Sequence, residues 1–218
     1  MKVYFISGLA ADRRAFKHVE LPMGFETEYL DWIPPDAGET LQQYALRLAK
    51  DIDSEKPFVT IGLSMGGMIA TEIAKKYENA HTILISSVPS PVYFPPHFRM
   101  VRNLRLYRLV PVAVIKSAAI TKRLFSRESK EDKIMLQKMI RECSNDFVKW
   151  AISAIMKWDN KELPSSYIHI HGTRDEMFPV SFTKPTHIIK KGGHFMIMTH
   201  ARQVNEILEA ELKKLNDR

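Results

Sequence analysis

The chain has 218 residues, 45% of them hydrophobic and 26% charged. This balance excludes disorder for the bulk of the chain and fits one α/β domain, residues 1–218, with a sizeable buried core. The net charge is +7, but Arg99 to Arg141 holds twelve of the basic residues and three of the acidic ones, a local net of +9 that leaves −2 for the rest.

Cys143 is the only cysteine. No intrachain disulfide and no thiolate metal site can form, so a reducing compartment is expected. No run approaches the ~20 apolar residues of a membrane span. The opening Met1 to Ile6 is too short for the apolar core of a secretory signal and reads as a strand. A soluble, cytoplasmic protein is expected.

Short β-rich runs alternate with helical patterns along the chain. Lys2 to Ser7 is the first strand and Phe25 to Asp31 a weaker second. Glu39 to Ile52 places Leu41, Tyr44, Ala45, Leu48 and Ile52 on one helical face. Pro57 to Leu63 is a third strand, followed by a helix from Met65 to Tyr77 carrying Met68, Ile69 and Ile73. His81 to Ser86, Ser166 to His171 and Thr186 to Lys190 complete the strands, and Ala201 to Leu215 is a final amphipathic helix. Leu215 to Arg218 is expected to fray. Short, apolar, β-branched strands suit a sheet buried on both faces. Strand–helix alternation argues a parallel sheet with right-handed crossovers. About eighty residues between the fourth and fifth strands carry no strand signal. A structureless loop of that length is not expected in a compact domain, so residues 87–164 read as an inserted helical cap.

The chemistry begins at Gly62-Leu63-Ser64-Met65-Gly66, a Gly-x-Ser-x-Gly run between a strand and a helix. That context makes Ser64 a candidate nucleophile on a sharp strand-to-helix turn. A serine hydroxyl needs an adjacent base. His194, in Lys191-Gly192-Gly193-His194-Phe195 after the last strand, is the best placed of eight histidines. Histidine is also the side chain whose ordinary pKa lies nearest working pH. Asp175, in the loop after the fifth strand, would orient that base. A turn aspartate that merely caps the next segment is the alternative, with Glu176 the substitute acid. His171 is expected to support this loop rather than react. The order Ser64, Asp175, His194 matches one fold type and neither the chymotrypsin nor the subtilisin order. The backbone amides of Leu9, after the first strand, and Met65 are the expected oxyanion donors.

SGLAADRRAF, GLSMGG, HGTRDEMFP and KGGHF, in order and at fitting intervals, resemble the α/β-hydrolase superfamily in its small esterase-like branch. Ser7-Gly8 stands where such relatives commonly show His-Gly. The resemblance implies an α/β-hydrolase fold with a reduced, mainly parallel sheet of about six strands and a helical cap. It also implies a small-molecule substrate and no metal or organic cofactor. The expected reaction is hydrolysis of a carboxylic ester with a small or medium acyl group. A thioesterase, amidase, carbon–carbon hydrolase or hydroxynitrile-lyase-like activity could run on the same triad. A catalytically idle ligand-binding protein is the reading from another class.

Arg99, Arg102, Arg105 and Arg108 recur every third residue and, with Val101, Leu104 and Val110, suggest one amphipathic cap helix with a basic stripe. A solvated face is the plain reading. Weak contact with an anionic surface is the functional one. Nucleic acid is not expected, since no recognition motif accompanies the charge.

Overall fold

The computed structural model describes residues 1–117 and 129–216. Its centre is one parallel sheet of six strands: β1 (Lys2–Ile6), β2 (Glu26–Tyr29), β3 (Phe58–Leu63), β4 (Ala80–Ile85), β5 (Tyr167–Gly172) and β6 (His187–Ile189). The spatial order is β2-β1-β3-β4-β5-β6, and every neighbouring pair is parallel. The chain therefore runs outward from β1 to β2, then returns to lay β3 on the other side of β1. Loops leaving the carboxyl ends of β1 and β3 diverge at this reversal and open a crevice, the usual place for a ligand in such sheets.

Alternate residues of each strand serve opposite faces. Tyr4, Ile6 and Leu84 pack with α1 (Leu41–Leu48) and α2 (Met65–Lys76), burying Leu41, Tyr44, Met68, Ile69 and Ile73. Val3, Phe5, Ile61, Ile83 and Ile85 face the other side. There they meet Val204, Leu208 and Leu212 of α8 (Ala201–Asn216) and Met196 to Met198 of the short α7 (Met196–Thr199). β3 is buried along its whole length, which is why PFVTIGL lacks polar alternation. The first helix starts at Leu41 rather than Glu39. Thr40 caps it: its Oγ1 accepts from the Gln43 amide at 3.2 Å while Gln43 Oε1 accepts from the Thr40 amide at 3.0 Å.

Between β4 and β5 the described residues hold helices and no strand: α3 (Pro96–Asn103), α4 (Val112–Ile115), α5 (Lys130–Glu142) and α6 (Asn145–Lys157). Residues 118–128 of this segment, with Lys122, Arg123 and Arg127 of the basic count, lie outside the described residues, as do Asp217 and Arg218 of the expected frayed end. Leu215 itself is half-buried against the α8 side of the core. The C-terminal end of the insertion is tied to α2, and its N-terminal end is tied to the C-terminal one. Trp158 Nε1 donates to Glu72 Oε1 at 2.6 Å, and Lys75 Nζ donates to Glu72 Oε2 at 3.0 Å and to Asn160 Oδ1 at 2.8 Å. Asn160 Nδ2 donates to the Pro89 carbonyl at 3.0 Å, and Ser90 Oγ to the Asn160 carbonyl at 2.7 Å. Glu72 is buried, and a buried carboxylate is tolerated because both its oxygens are satisfied.

The single basic helix expected over Arg99 to Arg108 is not formed. α3 ends at Asn103, Arg105 turns left-handed at φ 53°, and a 3₁₀ turn spans Leu106 to Arg108. Side-chain anchoring accompanies the break: Arg99 Nε donates to the Phe94 carbonyl at 2.8 Å and Arg102 to the distant Trp158 carbonyl at 2.6 Å. Two of the four arginines thus fold back onto the insertion. Leu104 and Val110, expected to pack inward, are exposed.

Candidate active site

Ser64 sits between β3 and α2 with φ 53° and ψ −118°, a backbone conformation that costs a non-glycine residue of order 1–3 kcal/mol. Close packing holds it there. A Cβ on Gly66 would lie 2.1 Å from the Ile6 carbonyl oxygen, and one on Gly62 would lie 2.3 Å from the Gly66 oxygen. Behind the turn, Ser87 Oγ donates to the Ser64 carbonyl at 2.6 Å. Sequence reasoning gave Ser87 no role. Its signal would have been its place two residues past β4, at the same sheet edge as Ser64.

The loops after β5 and β6 are pinned to each other. Thr173 donates its amide to the Ile189 carbonyl at 3.1 Å and Arg174 to the Gly192 carbonyl at 2.8 Å. A Cβ on Gly172 would lie 2.2 Å from the Gly192 oxygen. This contact sets Asp175 beside His194. His194 Nδ1 lies 2.9 Å from Asp175 Oδ2, and its Nε2 lies 2.9 Å from Ser64 Oγ. A carboxylate only accepts, so Nδ1 carries the ring proton and the serine hydroxyl donates to Nε2. Asp175 Oδ1 accepts from the amides of Met177 and Phe178, both at 2.9 Å. Ser64, Asp175 and His194 are all buried, whereas Arg174 and the alternative acid Glu176 are exposed. The structure thus brings three distant residues into one linear chain.

Gly8, Leu9 and Ala10 after β1 line the same cavity as Ser64, Met65 and His194. A Cβ on Gly8 would lie 3.3 Å from Ser64 Cβ, so the loop passes directly over the serine. Ala10 holds a left-handed φ of 59°, and the turn closes through the Ala11 amide on the Gly8 carbonyl at 3.0 Å. Met65 is the first residue of α2, so its amide has no partner within the helix and lies where the helix dipole favours negative charge.

The α/β-hydrolase family profile matches residues 3–207. The chain belongs to the α/β-hydrolase family. Solved structures agree in fold. An esterase from Exiguobacterium antarcticum superposes with a TM-score of 0.79 at 17% identity, covering 98% of this chain and 92% of that one. A bromoperoxidase from Bacillus anthracis gives 0.76 at 18% identity, covering 97% and 91%. A thermophilic esterase from Thermogutta terrifontis gives 0.73 at 19%, covering 98% and 90%. No curated protein sequence matches the chain.

In this α/β hydrolase the polar chain continues behind Asp175. His171 Nε2 lies 2.7 Å from the Phe178 carbonyl and 3.4 Å from Asp175 Oδ2, and its Nδ1 lies 3.0 Å from His169 Nε2. A carbonyl only accepts, so His171 is protonated at Nε2 and receives its hydrogen bond from His169. Both rings are fully buried. His171 therefore supports the acid loop, as expected, but His169 was missed. The signal was available: in SYIHIH, residues 169 and 171 alternate onto one face of a strand.

Burial pushes His169 down to about 3, with neighbouring His171 adding to the shift, and burial also lowers His171 against the opposing pull of Asp175. For Asp175 burial acts upward, but the charge of His194, the hydrogen bond from it and the nearby His171 outweigh it, and the carboxyl titrates below its usual range. The sign of the pH effect follows. An unfolded chain protonates both imidazoles as pH falls below ~6.5, whereas the folded chain resists protonating them, so stability falls as pH drops below that value, and for His169 the loss continues towards pH 3. Asp175 adds a loss only below ~4, as pH approaches its lowered folded value. Each buried neutral histidine should contribute a slope of about 1.4 kcal/mol per pH unit. Urea midpoints between pH 7 and 4.5 should therefore fall less steeply in His169→Gln than in the parent. Equal slopes would show that His169 is protonated in the fold.

The cavity in front of Ser64 measures about 290 Å³. Its walls are Leu9, Met68, Phe195 and Phe178 from the sheet side, with Phe98, Leu136, Val148, Ile152 and Ile155 from the insertion. Among the described residues, Lys116 is the one charged lining residue besides His194, and it donates to the Cys143 carbonyl.

Proposed function

We propose that the chain is a serine hydrolase that cleaves carboxylic esters carrying an apolar acyl group. The reading rests on the two 2.9 Å contacts that join Ser64, His194 and Asp175 at the floor of an apolar cavity. Low-identity likeness to two esterases is in keeping with it.

The residues divide the work as follows. His194 Nε2 takes the Ser64 proton as Oγ forms a bond to the ester carbonyl carbon. The carbonyl oxygen gains negative charge and is held by the Leu9 and Met65 amides; such donors are each worth ~3–4 kcal/mol. As the intermediate collapses, the bond to the alcohol oxygen breaks and His194 returns its proton to that oxygen. A water then gives its proton to His194 Nε2 and attacks the acyl carbon; the bond from that carbon to Ser64 Oγ breaks, His194 returns the proton to Oγ, and the acid leaves. Asp175 stays ionised throughout and stabilises the imidazolium. The helical insertion acts as a cap that supplies the acyl pocket. A charged acyl chain would have to leave water for described walls that are apolar apart from Lys116, whose ammonium is engaged by the Cys143 carbonyl, which disfavours it.

A p-nitrophenyl alkylphosphonate tests the assignment. Attack by Ser64 forms a P–O bond and expels p-nitrophenolate, leaving an adduct that water removes slowly. One p-nitrophenolate per chain is expected, with the added mass on the peptide holding Ser64 and loss of hydrolysis of a p-nitrophenyl acyl ester. Ester turnover with no adduct on that peptide would refute it. Paired esters and thioesters of increasing acyl length would then place the bond and the chain length.

A further inference from the structure

Twelve large apolar side chains are exposed among the described residues, and seven of them lie between Val92 and Val114. Leu109 is 78% exposed and Leu104 63%. Single exposed leucines are ordinary, but such a concentration in one segment marks an interaction surface. Residues 91–116 also hold five cations and no Asp or Glu. Arg99 and Arg102 are partly occupied in holding the insertion together. Arg105 and Arg108 are exposed beside Leu104, Leu106 and Leu109. The short helices have two sides: α3 puts Phe98 in the cavity wall and leaves Met100 outside, and α4 does the same with Ile115 and Val114.

We infer that this outer face of the insertion docks on an anionic phospholipid surface. The leucines and Met100 would enter the headgroup–acyl boundary while Arg105 and Arg108 meet lipid phosphates, the division of labour of interfacial segments. A second copy of the chain fits less well, because a two-fold interface would set this acid-free basic patch against itself. Nucleic acid would satisfy the arginines and leave the leucines in water. The inference does not rest on the esterase reading, since binding is measured without turnover.

The test is co-sedimentation with vesicles of phosphatidylcholine alone and of phosphatidylcholine with phosphatidylglycerol. Retention on the anionic vesicles only, weakening with salt, is expected. Each surface cation contributes roughly fivefold, so Arg105→Gln with Arg108→Gln should weaken binding about 25-fold. Leu104→Ser with Leu109→Ser should cost roughly tenfold or more. Both doubles should keep the parent's urea midpoint, which separates lost docking from lost folding. Equal retention on both vesicle types, or on neither, would overturn the proposal, as would doubles that bind like the parent. A concentration-dependent dimer abolished by the leucine double, or binding to a single-stranded oligonucleotide in place of vesicles, would overturn it in favour of those partners.

Discussion

Asp175→Asn should lower kcat on a p-nitrophenyl acyl ester by about 10⁴-fold and leave KM within a few fold. The reason lies in the four atoms around the carboxylate. Oδ1 accepts from two backbone amides, both at 2.9 Å. An asparagine must put its oxygen there, because its NH2 group would otherwise face two N–H donors. The NH2 then takes the place of Oδ2 and points at His194 Nδ1. That nitrogen must now accept, which moves the ring proton to Nε2, the atom 2.9 Å from Ser64 Oγ. The base is then protonated on the side where it should receive a proton. His171, 3.4 Å from Oδ2, offers only an N–H in that direction and cannot rescue the tautomer. Ser64→Ala should cost a similar or larger factor, and the double variant no more than the worse single, if the three residues work as the proposed unit. Steady-state kinetics with urea midpoints as the folding control measure this. Activity of Asp175→Asn within tenfold of the parent would remove Asp175 from the orienting role.

What could be read in advance divides along the range of the forces involved. The strands declare themselves locally, since a strand buried on both faces must be apolar and short, and PFVTIGL and HTILIS are both. β2 is the weak case: it lies at the sheet edge with mostly exposed residues, so its alternation carries little hydrophobic signal. Ser64 is legible because its tight turn admits no Cβ at Gly62 or Gly66, and His194 because it follows the last strand at the same sheet edge. The ties behind the site are not local. Glu72 reads as an ordinary polar helix residue, and only the tertiary fold brings Trp158 and Lys75 to its two oxygens. The insertion misleads for the opposite reason. Its three-residue arginine spacing is a true periodicity, but the helix stops where Arg102 reaches the Trp158 carbonyl, a partner 56 positions away that no local pattern announces.

Gly66→Ala should abolish stable folding, a loss on the order of 4–5 kcal/mol or more. The added Cβ would stand 2.1 Å from the Ile6 carbonyl oxygen and 2.4 Å from that of Ser7. Both belong to backbone at the carboxyl end of β1. That strand is held between β2 and β3 by ladder hydrogen bonds, so it has no rotamer with which to yield. Relief requires α2 to move off the sheet, and α2 carries Met68, Ile69 and Ile73 into the core as well as the serine turn itself. Gly38→Ala is the contrasting case. Its φ of +76° strains an alanine, but among the described residues nothing lies within 4 Å of the new Cβ, so about 1 kcal/mol is expected. Urea unfolding midpoints of the two variants separate contact from strain. A Gly66→Ala protein as stable as Gly38→Ala would mean that β1 and α2 can part cheaply. The close approach of α2 to β1 would then not be what holds Ser64 at its positive φ.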